Sequence, residues 1–318
     1  MMPWLLSSLG LVILLLAGDA LVRGAVNLSL RVGIPALIVS LTIVAFGTSA
    51  PELLIAIQAN LMNAPGIALG NVIGSNTANI LLVLGVPAML SRLHTSECDT
   101  RHSYVQMLAA TVLFMGLAWF GVFTLWSGLI LLGGLALMMF DATRKARAHR
   151  AAGSGSSDEE EEIEEADPDM PGWRIGVYLA LGLIGLPLGA DLLVDNASII
   201  ARLYGLSDEV IGLTLVSVGT SLPELATTVM AALRRQADVA LGNVIGSNMF
   251  NLLAIIGVAT FFGPIPVHLN ALSFDLWVML GASLLLLPFV FLHKDITRRW
   301  GLLLTALYCV YILVVITG

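Results

Sequence analysis

In 318 residues the chain is 58% hydrophobic and 12% charged, at a mean hydropathy of +0.92. Soluble domains are about a quarter charged, so the composition excludes a water-soluble globular protein and offers nothing to a nucleic acid. The net charge of −7 comes from one segment, residues 158–169 (DEEEEIEEADPD), which holds nine of the 22 acids; the other 13 face 15 bases.

Ten apolar stretches follow one another along the chain: 3–22, 33–61, 66–91, 104–121, 127–142, 173–200, 207–233, 238–262, 272–292 and 299–317. A helix crossing a hydrocarbon core needs about 20 such residues. The first stretch has a short apolar core at 11–17 like that of an export signal. However, no Lys or Arg precedes it and it takes part in the repeat below, so it is expected to remain a helix. Residues 104–140 contain no polar turn. As one helix they would extend about 55 Å, far beyond a ~30 Å core, so the chain must fold back after Gly121. Cys98 and Cys309 suggest neither a disulfide nor a metal site.

Internal repetition organises these stretches. GTSAPE, ending at Glu52, recurs as GTSLPE, ending at Glu224, 172 residues later. The same offset relates GNVIGSNTAN (70–79) to GNVIGSNMFN (242–251), Asp19 to Asp191 and Gly33 to Gly205. Each copy holds five stretches, and an odd number places the second copy upside down relative to the first. The expected fold is therefore an all-α integral membrane protein of ten transmembrane helices in two inverted five-helix repeats, 1–142 and 173–318. Residues 143–172, Gly/Ser-rich and then acidic, read as a disordered linker. With ten spans, fourteen of the fifteen Lys and Arg fall on one side and only Arg202 on the other. That side is cytoplasmic by the positive-inside rule, so both termini are expected outside a cell membrane and the linker inside.

Two carboxylates stand in mid-span, Glu52 and Glu224. A charge there costs at least ~2.5–3.5 kcal/mol and needs a partner. A protonated carboxyl bonded to a neighbouring helix is the bland reading. Two copies in the same polar setting favour a cation site. Thr48 and Ser49 share a helix face with Glu52, as Thr220 and Ser221 do with Glu224. Ser75 pairs with Asn79 one turn on, and Ser247 with Asn251. All of these groups offer oxygen and none is His or Cys, the ligand set of Ca²⁺, Na⁺ or Mg²⁺. Pro51 and Pro223 free the carbonyls of Gly47 and Gly219, tolerated at membrane depth where they line a polar cavity. Gly70, Gly74, Gly242 and Gly246 form GxxxG pairs expected to pack helices closely. Asp19 has Arg23 one turn later, which reads as a structural ion pair outside the site.

At these paired motifs the sequence resembles the cation/Ca²⁺ exchanger superfamily, specifically the prokaryotic sodium/calcium exchangers. The resemblance implies that helices 2, 3, 7 and 8 enclose the cation sites, with backbone carbonyls near Ala45 and Ser217 contributing. Some relatives carry Asp where this chain has Asn251, which leaves two carboxylates instead of three. The expected function is exchange of Ca²⁺ for Na⁺ by alternating access, with helices 1 and 6 moving against the others. H⁺- or K⁺-coupled exchange of Ca²⁺ or Mg²⁺ on the same fold is the nearest alternative, ahead of a channel. An intramembrane enzyme is a remote one, because the five histidines all lie in loops or at span ends. No cofactor and no protein partner is implied; the ions are cargo.

Overall fold

The computed structural model describes residues 2–96, 98–151, 167, 170–205 and 217–317. Helix α1 (Met2–Val32) is unbroken. Helices α2 (Ala36–Thr48) and α3 (Ala50–Leu61) follow one another with a 43° bend at Ser49. Pro51 lies in the first turn of α3, where a missing N–H costs nothing. Next come α4 (Pro65–Leu90), α5 (Arg101–Ala118), strand β1 (Val122–Phe123) and α6 (Leu125–Ala151). The second half runs through α7 (Gly172–Leu203), the short α8 (Ser217–Gly219), α9 (Leu222–Leu233) and α10 (Ala237–Phe262). It closes with β2 (Ile265–Pro266), α11 (Leu269–Leu284), α12 (Leu287–Phe291) and α13 (Arg298–Thr317).

Among the described residues seven helices are long and apolar enough to cross a membrane, eight if α2 and α3 count as one. Helix α9 is apolar but 12 residues long. Outward faces carry Leu5, Leu16, Trp126, Phe140, Leu181 and Leu313, all exposed. In water such a surface would be an aggregation hazard; against lipid it is the ordinary exterior.

The fold-back after Gly121 is present. Gly121 takes φ +79°, and β1 then pairs antiparallel with β2, Phe123 opposite Ile265. The boundary expected at 142 is not a helix end, because α6 continues to Ala151 and takes up the first residues assigned to the linker. Residues 142–151 are rich in Ala, Arg and Lys, good helix formers that need no lipid. Of the expected span 207–233, residues 207–216 lie outside the described ones, as does most of the acidic segment 158–169.

The backbone repeats at the offset of the motifs. Ser49 (φ −85°, ψ 5°) and Ser221 (φ −89°, ψ 5°) break their helices identically. Positive φ recurs at Gly33 and Gly205, at Asn63 and Arg235, and at Gly121 and His293, each pair 172 residues apart. π-Helical turns at Asn79–Val83 and Phe250–Ile255 complete the pattern.

Two features position the centre. Helices α4 and α10 are the most enclosed, 72% and 83% buried over their apolar windows, against 22% for α6, α7 and α13. Helices α1 and α7 lie along each other on a glycine seam, with no room for a Cβ. One added at Gly182 would sit 2.5 Å from the Leu21 Cβ, and one at Gly10 2.7 Å from the Leu193 amide.

Two loops at one end are clasped together. Leu93 bridges Ile296, and Asp295 accepts from the Ser96 amide at 3.0 Å and from Arg92 at 2.7 Å. Burial alone would raise the Asp295 pKa, but the Ser96 hydroxyl and amide, Arg92 and His94 outweigh it and hold the carboxyl below its ordinary value. Its contribution to stability is therefore present above the ordinary carboxylate range and lost as pH falls through the lowered pKa. Asp295→Asn should lower the melting temperature at pH 7, and the gap to the parent protein should close below that range. Gly182→Val should separate α1 from α7 and cost roughly 1–3 kcal/mol, several degrees of melting temperature in detergent. Gly176→Ala, with open space at its Cβ inside the same helix, should not lower it.

Candidate cation site

The break at Ser49 is what brings side chains to the centre. Thr48 ends α2, and Glu52 lies in the first turn of α3, where the free amides and the helix dipole favour a carboxylate. Ser221 and Glu224 repeat this on α9. Both glutamates are 1% exposed, and they lie within electrostatic reach of each other. The enclosed helices α4 and α10 add Ser75, Asn79, Ser247 and Asn251, all buried.

Hydrogen bonds join the two halves. The Ser49 hydroxyl donates to Glu224 Oε1 at 3.4 Å. Thr48 Oγ1 donates to Asn243 Oδ1 at 3.3 Å and lies 3.4 Å from Ser247 Oγ. Thr220 Oγ1 donates to Asn71 Oδ1 at 3.5 Å, and Asn79 Nδ2 to Asn248 Oδ1 at 3.0 Å. The Ala45 carbonyl accepts from the Ser49 amide at 3.1 Å and lies 3.3 Å from Thr48 Oγ1, and the Ser221 amide bonds the Val218 carbonyl.

Among the described residues many oxygens in this cluster have no hydrogen-bond partner: both of Glu52, Glu224 Oε2, Ser221 Oγ, and the side-chain oxygens of Asn76, Asn79 and Asn251. A buried polar atom left unpaired costs about 1–3 kcal/mol, more when charged. An oxygen-rich centre short of hydrogens is what a hard cation fills.

The glycine pairs divide. Gly242 and Gly246 press on α2, a Cβ on each falling 2.8 Å from the Leu37 carbonyl oxygen and 2.5 Å from that of Leu41. Gly70 and Gly74 do not pack closely; with Asn71, Ser75 and Thr220 they line a cavity of about 420 Å³. Asp19 keeps its ion pair with Arg23 at 2.9 Å and also pairs with Arg234, tying α1 to the end of α9.

The sodium/calcium exchanger protein family matches residues 2–142 and 175–317, nearly everything outside the acidic segment. The chain belongs to this family. It is 37% identical over 279 residues to the putative antiporter CaxA of Alkalimonas amylolytica, covering 87% of this chain and 86% of that one. It is 34% identical over 348 residues to the sodium/calcium exchanger MaX1 of Methanosarcina acetivorans, covering 98% and 97%. A structure of the sodium-calcium exchanger NCX_Mj soaked with Na⁺ and Sr²⁺ is similar at a TM-score of 0.82, with 33% identity and 98% of both chains covered. Membership makes this a multi-pass membrane antiporter for cations, and its named relatives are transporters, not enzymes.

Motif reading passed over Asn243 and Asn248, and their counterparts Asn71 and Asn76. The signal was there, since four amides inside apolar spans, paired at the same offset, are as unusual as the glutamates. A cation filling the cluster stabilises the fold by RT ln(1 + [L]/Kd), about 2.7 kcal/mol at a hundredfold excess over Kd. Millimolar Ca²⁺ should therefore raise the melting temperature of the parent exchanger in detergent and leave Glu52→Gln and Glu224→Gln unmoved.

Proposed function

We propose that this exchanger moves Ca²⁺ in one direction and Na⁺ in the other through one site between Glu52 and Glu224. The observation that carries the reading is the pair of buried carboxylates at matched helix breaks, amid oxygens that nothing donates to. Two negative charges offset the two of one Ca²⁺. Na⁺ seeks the same oxygens, so the two ions displace each other and flux is coupled. Thr48, Ser49, Thr220 and Ser221 line the Na⁺ positions, and Ser75, Asn79, Ser247 and Asn251 complete the set with the carbonyls near Ala45 and Ser217. Asn251 is neutral, which keeps the centre at two carboxylates. The relatives named as sodium/calcium exchangers favour Na⁺ as the coupling ion over H⁺ or K⁺.

The site sits at the middle of ten spans arranged as two inverted repeats, 1–142 and 173–318. The recurrent backbone conformations and the motif offset support the duplication, and the lopsided Lys/Arg distribution supports the inversion. In this arrangement both termini face outward, and the segment from 143 to 172 is cytoplasmic. Alternating access comes from α1 and α7, which travel as a pair against the helices that hold the ligands.

Ca²⁺ uptake into proteoliposomes tests the reading. Uptake should require Na⁺ inside, and Glu52→Gln or Glu224→Gln should abolish it without changing reconstitution yield. Uptake driven by a pH gradient alone would move the protein to proton coupling, and retained exchange in Glu52→Gln would remove the carboxylate pair from the mechanism.

A further inference from the structure

A carboxamide ligand poses a problem that a carboxylate does not. Its oxygen and its NH₂ have nearly the same shape, and a half-turn about χ2 presents N–H hydrogens to a cation instead of lone pairs. Something must hold Asn79 the right way round.

The polarity of Asn79 can be traced through its neighbours. Its Nδ2 donates to Asn248 Oδ1 at 3.0 Å, and its own Oδ1 is buried with no partner. Asn248 cannot turn over, because its Nδ2 faces two groups that only accept: the Asn76 carbonyl oxygen at 3.4 Å and Met107 Sδ at 3.7 Å. The relay starts at a backbone carbonyl, which has no hydrogen to give, so every link has one allowed direction. Reversing Asn79 would set its oxygen against that of Asn248.

The other half of the centre lacks this device. Asn251, the repeat mate of Asn79, has both side-chain atoms unpartnered. Its counterpart of Asn248 would be Asn76, whose Nδ2 likewise turns to a backbone carbonyl, that of Val72 at 3.0 Å, but whose Oδ1 takes up no NH₂ from Asn251. A looser contact of this kind reaches Thr48: its hydroxyl lies 3.3 Å from both Asn243 Oδ1 and the Ala45 carbonyl oxygen, while Asn243 Nδ2 is held by Thr228 Oγ1 at 3.2 Å and the Glu224 carbonyl at 3.4 Å.

We propose that Asn248 is a positioning residue of the cation site: it takes up the NH₂ of Asn79 and so fixes the Asn79 carbonyl oxygen toward the bound cation, without touching the ion. This rests on the cation reading of the site. It makes the two repeats unequal, Asn79 being oriented before the ion arrives and Asn251 only by the ion.

The test is Ca²⁺ binding by the purified full-length protein in detergent, read as the Ca²⁺ concentration that half-raises the melting temperature. Asn248→Leu should weaken binding about tenfold, the factor worth 1.4 kcal/mol. In an Asn79→Ala background Asn248→Leu should weaken binding no further, because its effect passes through Asn79. Parent-like binding by Asn248→Leu, or losses that multiply in the double variant, would overturn the proposal. A merely structural role would lower the ion-free melting temperature and leave the half-raising concentration unchanged. If the leucine variant does not fold, Asn248→Ala makes the same comparison. A parent protein that binds no Ca²⁺ would overturn the cation reading itself, a separate outcome from a parent that binds and variants that do not follow.

Discussion

Two carboxylates held out of water without a Lys or Arg to meet them set the terms for the rest of this molecule. Among the described residues both oxygens of Glu52 and Oε2 of Glu224 are without a hydrogen-bond partner, and hydroxyls, Ser49 among them, are what reach Glu224. Such a centre is tolerable only where dipoles are aimed at it. Both helix breaks do this, starting a fresh helix two residues before each glutamate, so that each carboxylate sits in a first turn with its free amides. The break needs a residue that can leave helical ψ, Ser49 or Ser221, and a proline that can open the next helix without a lost bond. Small residues then let the surrounding backbones close in, with Gly242 and Gly246 seated on α2.

The motif repetition made much of this readable beforehand. Glu52, Thr48, Ser49, Ser75, Asn79 and their counterparts are short-range patterns, and an offset of 172 held across the chain identifies them without knowledge of packing. The structure brings most of them into one buried cluster. What sequence periodicity could not supply is contact between helices distant in the chain. Asn248 meets Asn79 across 169 positions, and Thr48 meets Asn243 across 195. An amide in an apolar span announces that it needs a partner, but not which one. The end of α6 was missed for another reason. Apolarity reports where lipid stops, whereas Ala, Arg and Lys carry the helix on to Ala151.

The repeat is also instructive where it is imperfect. The Ser49 amide bonds back to Ala45, four residues earlier, and the Ser221 amide to Val218, three residues earlier. The glycines of α10 are packed, and those of α4 line a cavity. Asn79 is tied down and Asn251 is not. Two halves with the same motifs thus present different surroundings to a shared centre, as any single conformation with one side more open than the other must.

The glycine seam between α1 and α7 has a mechanical meaning. With backbones this close and Cβ atoms excluded at Gly10, Gly182 and Gly189, the two helices form one double rod, about 47 Å long at 1.5 Å per residue over the 31 residues of α1, which also braces α7 at its interior Pro187. A rod that long cannot swing away at one membrane face and stay put at the other. Within the proposed cycle, whatever opens the outer entrance also leans the rod on the inner one, much as a single plank tilts over its fulcrum. Leak-tightness then needs no separate pair of gates, because one rigid body serves as both.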